Sequence, residues 1–335
     1  MQQRQLGPFQ VSAIGLGCMN ICHAYGTPVS EADAEKLLLA ALDAGVTHFD
    51  TAALYGFGVS ETLVGKYLSP HRSQFTLASK CGMQGVDLNG DGKLVRVIDG
   101  RPEVLRATCE AALKRLNTDV IDLYYLHRWD KQVPVEESVG GLGDLVQAGK
   151  IRAVGLSEVS AATLRKAHAE HPIAAVQTEY SLWTRNPEIA VLQACQALGV
   201  ALVAFSPVAR GFLCGAMDVS ALEANDIRRS MPRFTAENHA TNARLLPGYF
   251  AIANEVGCTP AQLAIAWLLH RGDHVLPIPG TRSVTHLQED LGAADVKLSA
   301  DVMGRLDALI NQQTVRGSRY NAQANSEVDT EVFAA

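Results

Sequence analysis

Four ionisable side chains in this sequence, Asp50, Tyr55, Lys80 and His127, could carry out acid–base chemistry if the fold brings them together. A phenol titrates near pH 10, but a neighbouring ammonium group stabilises the phenolate and lowers its pKa. Lys80 could supply that charge, Asp50 could keep Lys80 charged and in place, and His127 could hydrogen-bond an oxygen that gains negative charge. Taken singly, each residue also fits an ordinary structural role, so the chemistry depends on their being neighbours in space.

Short apolar runs alternate with stretches of helical periodicity, which is the pattern of parallel strands joined by crossover helices. The runs are almost continuously apolar, as expected for strands that are buried on both faces in a closed barrel. Most of them end in a polar or ionisable residue, and the C-terminal ends of barrel strands share one face, where barrel enzymes place their chemistry. The eight predicted strands are Ile14–Gly17, Thr47–Asp50, Phe75–Lys80, Val120–His127, Ile151–Ser157, Ile173–Gln177, Ala201–Ser206 and Val275–Pro279.

The sequence therefore predicts an α/β fold, a (β/α)8 TIM barrel, with an N-terminal β-hairpin over Gln5–Ser12 and extra helices and loops over the C-terminal face. We expect residues 1–310 to form one barrel domain and residues 311–335 to form a polar tail that is either flexible or folded over the barrel mouth. The segment 211–240 lacks periodicity and is predicted to be a long functional loop. The predicted helices are Glu31–Asp43, Glu61–Leu68, Pro102–Leu116, Val135–Ala148, Ala161–Ala169, Pro187–Leu198, Asn242–Val256, Pro260–His270 and Val284–Ala293, and several end at a glycine.

The composition is typical of a soluble globular enzyme, with 335 residues, a formal net charge of −6, 47% hydrophobic residues and 19% charged residues. This charge balance lacks the basic field that nucleic-acid binders carry. No apolar run approaches the ~18 residues that span a bilayer, and the first ten residues lack the apolar core of a secretion signal. The seven cysteines are scattered and include no CxxC pair, which is typical of reduced thiols. We therefore expect a cytoplasmic protein with neither nucleic-acid nor membrane partners.

Several metal and nucleotide motifs are incomplete in this sequence. The segment 87–92 matches the opening of an EF-hand loop, but its twelfth position is Ile98 where a bidentate Glu is needed, so an exposed hairpin is the simpler interpretation. Cys18, Cys22 and His23 lack a second cluster at ligand spacing. No GxGxxG follows a strand, and neither a Walker A motif nor a GxSxG elbow occurs. We expect no metal site and no Rossmann-type cofactor site.

From about Arg4 to Ile310 the sequence resembles the aldo-keto reductases, and most of all the bacterial, fungal and plant branch related to pyridoxal reductases and auxin-induced reductases. One such motif alone would be weak, whereas seven in the family's order and spacing are specific. The motifs that carry the resemblance are His48–Gly56 (HFDTAALYG), Ala78–Lys80 (ASK), Tyr125–Arg128 (YLHR), Gly155–Ser157 (GLS), Val176–Ser181 (VQTEYS), Phe205–Pro207 (FSP) with Gly211–Leu213 (GFL), and Pro277–Ser283 (PIPGTRS).

The resemblance implies an NADPH-dependent reductase that converts aldehydes or ketones to alcohols, with NADPH/NADP+ as its cofactor. By this analogy Tyr55 donates the proton to the carbonyl oxygen as hydride arrives from the nicotinamide. Lys80 and Asp50 tune Tyr55, and His127 orients the substrate. Hydride chemistry belongs to the cofactor, and the protein contributes placement and charge stabilisation.

The same resemblance distributes the cofactor over several loops. Ser157 and Gln177 would hold the nicotinamide carboxamide and Phe205 would stack on the ring. Arg282 would receive the adenosine 2′-phosphate, because a guanidinium is a planar and permanently charged partner for phosphate, and this favours NADPH over NADH. The complete predicted set is Gly17, Cys18, Met19, Asp50, Ser157, Glu158, Gln177, Phe205, Ser206, Pro207, Val208, Arg210, Gly211, Leu213, Gly280, Thr281, Arg282, His286, Glu289 and Asp290.

Some of these positions depart from the family's usual residues. Phe205 stands where many members have Tyr, and it keeps the aromatic face for stacking. Glu158 stands where many have Asn, and an ionised carboxylate can accept a hydrogen bond but cannot donate one. Asp290 follows Glu289 where Glu-Asn is common, so adenine recognition is expected to be weaker or altered. His286, one helical turn before Glu289, could assist at the phosphate when protonated.

The substrate site is predicted to include Met19, Tyr55, His127 and Trp129, with Trp183 as a further candidate. These side chains offer apolar surface to an aliphatic or aromatic carbonyl compound, the small-molecule partner that the resemblance implies. Trp129 stands where Pro is frequent in relatives, and an indole there is expected to narrow the pocket. The sequence leaves the substrate, the reaction direction and the oligomeric state open.

Two other functions compete with the reductase at this stage. One is an NADPH-binding regulatory subunit with little turnover, like the channel β subunits that resemble this family. The other is a barrel aldolase in which Lys80 forms a Schiff base. A Schiff-base lysine needs desolvation or a neighbouring cation, whereas Asp50 is expected to keep Lys80 charged, which argues against the aldolase.

Overall fold

Eight parallel strands form a closed barrel in the computed structural model, which describes residues 2–215 and 217–334. The twelve strands of this part of the chain are β1 Gln3–Leu6, β2 Phe9–Ser12, β3 Leu16–Gly17, β4 His48–Asp50, β5 Thr76–Cys81, β6 Met83–Val86, β7 Val95–Ile98, β8 Ile121–Leu126, β9 Ile151–Ser157, β10 Ile173–Glu179, β11 Ala201–Phe205 and β12 Val275–Ile278. The barrel runs in the order β3, β4, β5, β8, β9, β10, β11, β12. The backbone N–H groups of Gly15 and Gly17 donate to the carbonyls of Pro277 and Pro279 at 3.0 Å and join its two ends. The predicted (β/α)8 barrel is thus confirmed.

The helices surround this barrel, and most lie close to the predicted bounds. In the described residues they are α1 Glu31–Asp43, α2 Val59–Leu68, α3 Pro102–Leu116, α4 Val135–Gln147, α5 Ala161–Glu170, α6 Val191–Leu198, α7 Ala236–Ala243, α8 Leu246–Val256, α9 Pro260–Leu269, α10 Val284–Gly292, α11 Ala300–Leu309 and α12 Ala322–Ser326. Serine or threonine hydroxyls cap the N-termini of α1, α5, α9, α10 and α11.

Two predicted helices have different bounds in the structure. The helix predicted over Asn242–Val256 begins at Leu246 as α8, with Pro247 in its first turn. Asn242, whose side chain donates to the carbonyl of Arg316, belongs instead to α7, which begins at Ala236 inside the segment that was predicted to be a loop. The helix predicted from Pro187 begins only at Val191, because Ala190 has a φ of −154°, which is far from the helical value. Helices α11 and α12 were not predicted at all.

The N-terminal hairpin of β1 and β2 closes the end of the barrel that lies away from the chemistry. Leu6 and Val11 are fully buried and join the interior cluster formed by barrel residues such as Leu123 and Val203. At the turn, Gly7 has a φ of +56°, and a Cβ atom there would lie 2.5 Å from the Cβ of Ala174. The predicted hairpin is confirmed, and it begins two residues earlier than expected.

A second hairpin, β6 and β7, projects after β5 and carries the segment that matches an EF-hand opening. The Asp87 carboxylate accepts backbone N–H groups of residues 89–92 and so closes the turn on itself. Residues 2–215 and 217–334 contain no cluster of three potential metal-ligating His, Cys, Asp or Glu side chains. Nor does any helix in these two ranges have the length and apolar character needed to cross a bilayer.

Candidate active site

Asp50, Tyr55, Lys80 and His127 meet at the C-terminal face of the barrel. Three neighbouring strands position them, since Asp50 ends β4, Lys80 lies in β5 and His127 follows β8. The Lys80 ammonium donates to the Tyr55 hydroxyl at 3.2 Å and to the carbonyl of Thr51 at 2.8 Å, and it forms an ion pair with Asp50. The residues that the sequence separates by up to 77 positions therefore share one small site.

A left-handed backbone turn presents Tyr55 to this cluster. Gly56, Phe57 and Gly58, which follow it, have φ values of +59°, +51° and +98°. Glycine adopts such values without strain, whereas a side chain does so at a cost. A Cβ atom at Gly58 would also lie 2.7 Å from the Cδ of Arg115. Both glycines are thus needed for the turn that holds Tyr55 in place.

Lys80 is fully buried and keeps its charge. Burial alone would lower the pKa of its ammonium, but the Asp50 carboxylate and the Tyr55 hydroxyl outweigh that effect and raise it. Asp50 is held in turn by the Gln177 amide, which donates to its second oxygen at 2.7 Å. The barrel interior therefore contains a fixed cation directly beneath the Tyr55 hydroxyl.

The pKa of Tyr55 is raised, contrary to the expectation that Lys80 would lower it. Burial is the largest cause, while Lys80 acts in the opposite direction without overcoming it. A buried phenolate loses the hydration that water gives its charge, and one ammonium does not replace all of it. Tyr55 is consequently protonated at neutral pH, as a proton donor must be.

His127 lies edge-on to Tyr55, with ring centroids 5.8 Å apart and an interplanar angle of 87°. Burial lowers the pKa of its imidazole well below the ordinary range, and the positive charges of Arg128 and Lys80 act in the same direction. Its Nδ1 atom is buried and has no hydrogen-bond partner within the described chain. The ring is therefore neutral at physiological pH and is able to make a hydrogen bond.

A cavity of about 970 Å³ opens from this cluster and runs across the mouth of the barrel. The predicted residues that line it are Gly17, Met19, Asp50, Tyr55, His127, Ser157, Gln177, Phe205, Ser206, Pro207, Val208, Arg210, Gly211, Gly280, Thr281, Arg282, His286, Glu289 and Asp290. They come from seven of the eight barrel strands or from the segments that directly follow those strands, as expected for a barrel whose site lies at its C-terminal face. The cavity has the size of a site for a large organic ligand.

Backbone strain is concentrated around this cavity. Of the seven non-glycine residues with a positive φ in the described chain, six lie in loops that follow barrel strands: Ala24, Phe57, Glu158, Ser206, Ala209 and Arg210. Such conformations persist where the surrounding structure enforces them, and they collect at functional sites. Three of the six fall in the loop after β11, beside Gly211, and this loop has the irregular backbone that anion-binding loops use. This loop is therefore a candidate for binding an anionic group.

Two predicted cofactor residues do not reach the cavity. Cys18 is completely buried and packs in the core, with its Sγ 3.8 Å from the carbonyl oxygen of Leu16. Leu213 is also completely buried, and its backbone N–H already donates to the carbonyl of Val208 at 3.3 Å. The Cys18 side chain therefore belongs to the core, whereas a cofactor contact through the backbone of Leu213 stays a prediction.

The two tryptophans predicted near the substrate also lie elsewhere. The Trp129 indole N–H donates to the carbonyl of Val133 at 2.7 Å, and the ring packs against the helix–strand core. Trp183 is buried against Phe212 and Phe234, with ring centroids 3.8 Å and 5.7 Å away. Neither indole lines the cavity, so the prediction that Trp129 narrows the pocket is wrong.

Glu158 has a structural partner in place of the predicted cofactor contact. Its carboxylate accepts two hydrogen bonds from the Arg319 guanidinium, at 2.6 Å and 3.1 Å, and further ones from the Thr178 hydroxyl and the Glu179 N–H. Both members of the ion pair are buried. The Glu158 side chain therefore lies outside the cavity wall and ties the C-terminal segment to the barrel.

The C-terminal segment contributes cavity residues that no sequence signal revealed. Tyr320, Gln323 and Glu327 reach the cavity from this segment. Lys131 secures it by donating to the carbonyls of Ser326 and Val328 at 2.9 Å and 2.8 Å. Sequence reasoning missed these residues because the segment is polar and irregular, and its contacts span more than 150 positions of the chain.

Other missed cavity residues come from loops of the barrel itself. His23 and Tyr25 lie in the loop after β3, and Arg228 lies in the long segment after β11. Arg96 lies on strand β7 of the hairpin, and Arg128 directly follows His127. The sequence indicates that loops following barrel strands border the site. It does not show which side chains of each loop line the cavity.

Arg210 and Arg282 are both at the cavity but differ in their partners. Arg210 forms a buried ion pair with Glu179 at 2.6 Å and donates to the Tyr25 hydroxyl at 3.1 Å. Arg282 is exposed and donates only to the carbonyl of Thr27, at 3.1 Å, as far as the described residues go. Arg282 thus keeps most of its donors for an anion, whereas Arg210 is largely engaged within the protein.

Burial raises the pKa of Asp290 to about 7, and the neighbouring Glu289 acts in the same direction. Near neutral pH this carboxyl group therefore carries a proton in part of the molecules, and a protonated carboxyl can donate a hydrogen bond. The sequence-based expectation that Asp290 has no donor applies only to the ionised form.

Asp290→Asn is expected to alter how stability depends on pH. The ordinary pKa of an Asp is 3.8, so in the native protein stability is lost as pH rises from about 4 through about 7, because the folded carboxyl resists ionisation. The Asn variant avoids this loss. The free energy of unfolding of the variant, relative to that of the native protein, should therefore increase by on the order of 3 kcal/mol as the pH rises from 5 to 8. Urea unfolding at both pH values measures the difference.

The exposed Asp295 provides the control for this prediction. Asp295→Asn should follow the native protein at both pH values. If Asp290→Asn also follows it, the Asp290 carboxyl ionises as easily in the folded protein as in the unfolded chain, and the expectation is wrong.

Comparison with known proteins places this arrangement among its relatives. Residues 13–311 match the model of the "Aldo/keto reductase family". A probable aldo-keto reductase 1 of Glycine max is 42% identical over 328 residues, which cover 96% of this chain and 93% of that protein. A solved glycerol dehydrogenase from Gluconobacter oxydans has a TM-score of 0.83 at 27% identity and covers 92% of this chain and 94% of its own. The holo form of an aldo-keto reductase from Bacillus halodurans has a TM-score of 0.74 at 26% identity, with 93% and 97% covered.

Proposed function

We propose, from the premise that this chain belongs to the aldo/keto reductase family and is an oxidoreductase of carbonyl compounds, that it reduces aldehydes or ketones to alcohols. In this proposal NADPH is the cofactor and Tyr55 is the proton donor. One observation carries the proposal. The protonated Tyr55 hydroxyl lies at the cavity wall, 3.2 Å from a buried ammonium group that is ready to stabilise the phenolate it leaves behind.

The residues of the cluster divide the proton transfer between them. Tyr55 gives its proton to the oxygen of a carbonyl group bound in the cavity. The charge of Lys80 stabilises the resulting phenolate, and Asp50 keeps Lys80 fixed through their ion pair. The neutral His127 offers a second hydrogen bond to the same oxygen and so orients the substrate.

The remaining cavity residues fit a nicotinamide dinucleotide. When bound, NADPH supplies the hydride. Ser157 and Gln177 lie at the cavity wall next to the catalytic cluster, where they can hold an amide group, and Phe205 offers an aromatic face. Ser206 and Gly211 belong to the strained loop that fits phosphates. On the far side of the barrel mouth, Arg282 has free donors for a further phosphate.

A panel of simple aldehydes and ketones tests the proposed function. With the full chain we expect the rate of NADPH consumption, measured as the loss of NADPH absorbance, to depend on the carbonyl compound. We expect lower rates with NADH as the cofactor. Tight NADPH binding without turnover across the panel would contradict the enzyme and would support a regulatory subunit instead.

Arg282→Ala is expected to weaken NADPH binding about 10- to 100-fold while leaving NADH binding nearly unchanged, because it removes a charge-assisted contact to the 2′-phosphate alone. Fluorescence titration of both nucleotides gives the two Kd values. Arg229→Ala serves as the control, since Arg229 is exposed and donates to the carbonyl of Leu222. Equal weakening of NADPH and NADH would show that Arg282 does not contact the 2′-phosphate.

A further inference from the structure

Arg128 lines the catalytic end of the cavity without a carboxylate partner. Three other arginines of the described cavity wall are each paired with an acid: Arg96 with Glu327 at 2.6 Å, Arg210 with Glu179 at 2.6 Å and Arg228 with Asp226 at 2.7 Å. Arg128 forms no ion pair with any residue in 2–215 or 217–334, and neither does Arg282. Arg282 follows β12, four strands away around the eight-stranded barrel, so Arg128 cannot serve the same phosphate.

The hydrogen bonds of Arg128 leave one edge of its guanidinium free. Nη1 donates to the carbonyl of His127 at 2.7 Å and to the Ser157 hydroxyl at 3.3 Å, and these two bonds fix the plane of the group. Nε and Nη2 have no hydrogen-bond partner in the described chain, and neither atom is completely buried. This edge presents two parallel N–H donors, the arrangement that binds both oxygens of a carboxylate.

The charges around the catalytic cluster leave a positive excess at this end of the cavity. The nearby carboxylates already have partners, since Asp50 binds Lys80, Glu158 binds Arg319 and Glu327 binds Arg96. After burial, the groups that lower the pKa of His127 include the cations Arg128, Lys80 and Arg96, and Arg128 has the largest effect among them. Arg128 also lowers the pKa of Tyr55, although burial outweighs it, so its charge acts on the hydroxyl that donates the proton.

We propose that the natural substrate is an oxo acid, an aldehyde or ketone that carries a carboxylate, and that the free Nε–Nη2 edge of Arg128 binds this carboxylate while the carbonyl oxygen faces Tyr55 and His127. The proposal rests on the proposed reductase function and names the class of substrate for that site. Arg128 acts here as a specificity-determining residue. Its charge adds nothing for neutral aldehydes, because they offer it no anion.

A matched pair of substrates tests this proposal. 4-Carboxybenzaldehyde and methyl 4-formylbenzoate share the same reacting aldehyde, but only the first carries a charge. We expect the native enzyme to favour the acid by at least about tenfold in kcat/KM, and Arg128→Met to reduce that preference by about 10- to 100-fold, mostly through KM for the acid. Arg128→Lys keeps the charge without the planar edge and should retain part of the preference.

The ratio of kcat/KM for the two substrates distinguishes a loss of specificity from a loss of folding or cofactor binding, because the latter two affect both substrates equally. Arg106→Met is the control, since Arg106 is an exposed residue of α3 that contacts Asp144 at 3.6 Å. If the preference for the acid is absent from the native enzyme, or is the same in Arg128→Met, the proposal is wrong. A variant that loses both substrates in proportion, with a weaker Kd for NADPH, would assign Arg128 to the cofactor instead.

If the native protein reduces neither aldehyde, the proposed reductase function is contradicted. Calorimetry then still tests whether Arg128 binds a carboxylate. The probes are 4-(hydroxymethyl)benzoate and its methyl ester, titrated into the full chain without nucleotide. We expect the acid to bind more tightly than the ester, and Arg128→Met to remove the difference. Equal affinity of the two compounds for the native protein would overturn the proposal independently of any turnover.

Discussion

Replacing Tyr55 with Phe is expected to lower kcat for carbonyl reduction by about 10³-fold while leaving the Kd for NADPH within about twofold. The variant keeps the ring and its edge-on contact with His127, whose centroid is 5.8 Å away, and it removes only the hydroxyl. That hydroxyl is the proton donor at the cavity wall, and Lys80 would have no phenolate to stabilise. Steady-state rates with one aldehyde and a nucleotide titration measure the two quantities.

Tyr124→Phe is the matched control for this experiment. Tyr124 is completely buried on β8, and its hydroxyl has no hydrogen-bond partner in the part of the chain that is described. Removing it should leave kcat unchanged. A Tyr55→Phe variant with turnover similar to that of the native protein would mean that another group, or water, supplies the proton.

Lys80→Met is expected to lower kcat by at least about 10²-fold and to reduce the free energy of unfolding by about 3–5 kcal/mol. Lys80 is completely buried, so the variant leaves the Asp50 carboxylate inside the barrel with only the Gln177 amide as a partner among the residues described. The phenolate of Tyr55 would also lose its neighbouring cation. Enzyme rates and urea unfolding measure the two effects separately.

Lys93→Met provides the control, because the Lys93 side chain is 85% exposed on the hairpin loop and should affect neither quantity. A borohydride reduction of the native protein with a carbonyl compound and no nucleotide separates the reductase from the aldolase. We expect no covalent product, since the ion pair with Asp50 keeps Lys80 protonated and therefore not nucleophilic. Trapping of the carbonyl compound on Lys80 would reverse the assignment.

The sequence by itself determined the barrel and the place of its chemistry. Apolar runs alternating with helical periodicity fix a parallel barrel, because strands buried on both faces must be covered by crossover helices. Parallel strands bring their C-terminal ends to one face, so Asp50, Lys80 and His127 were predictable neighbours even though the chain separates them. The family resemblance then identified nearly half of the residues of the cavity wall, since they belong to short motifs at fixed distances from strand ends.

Only the tertiary structure decided how these groups are charged and which loop residues turn inward. The direction of the pKa shift of Tyr55 depends on the balance between burial and Lys80, and burial is a property of the packed molecule. Glu158 pairs with Arg319, which lies 161 positions away in the chain, and not with the cofactor as the resemblance implied. A buried carboxylate must be paired, and the folded C-terminal segment supplies the cation. Strand periodicity fixes where a loop begins, whereas the direction of each loop side chain depends on long-range contacts that no local pattern encodes.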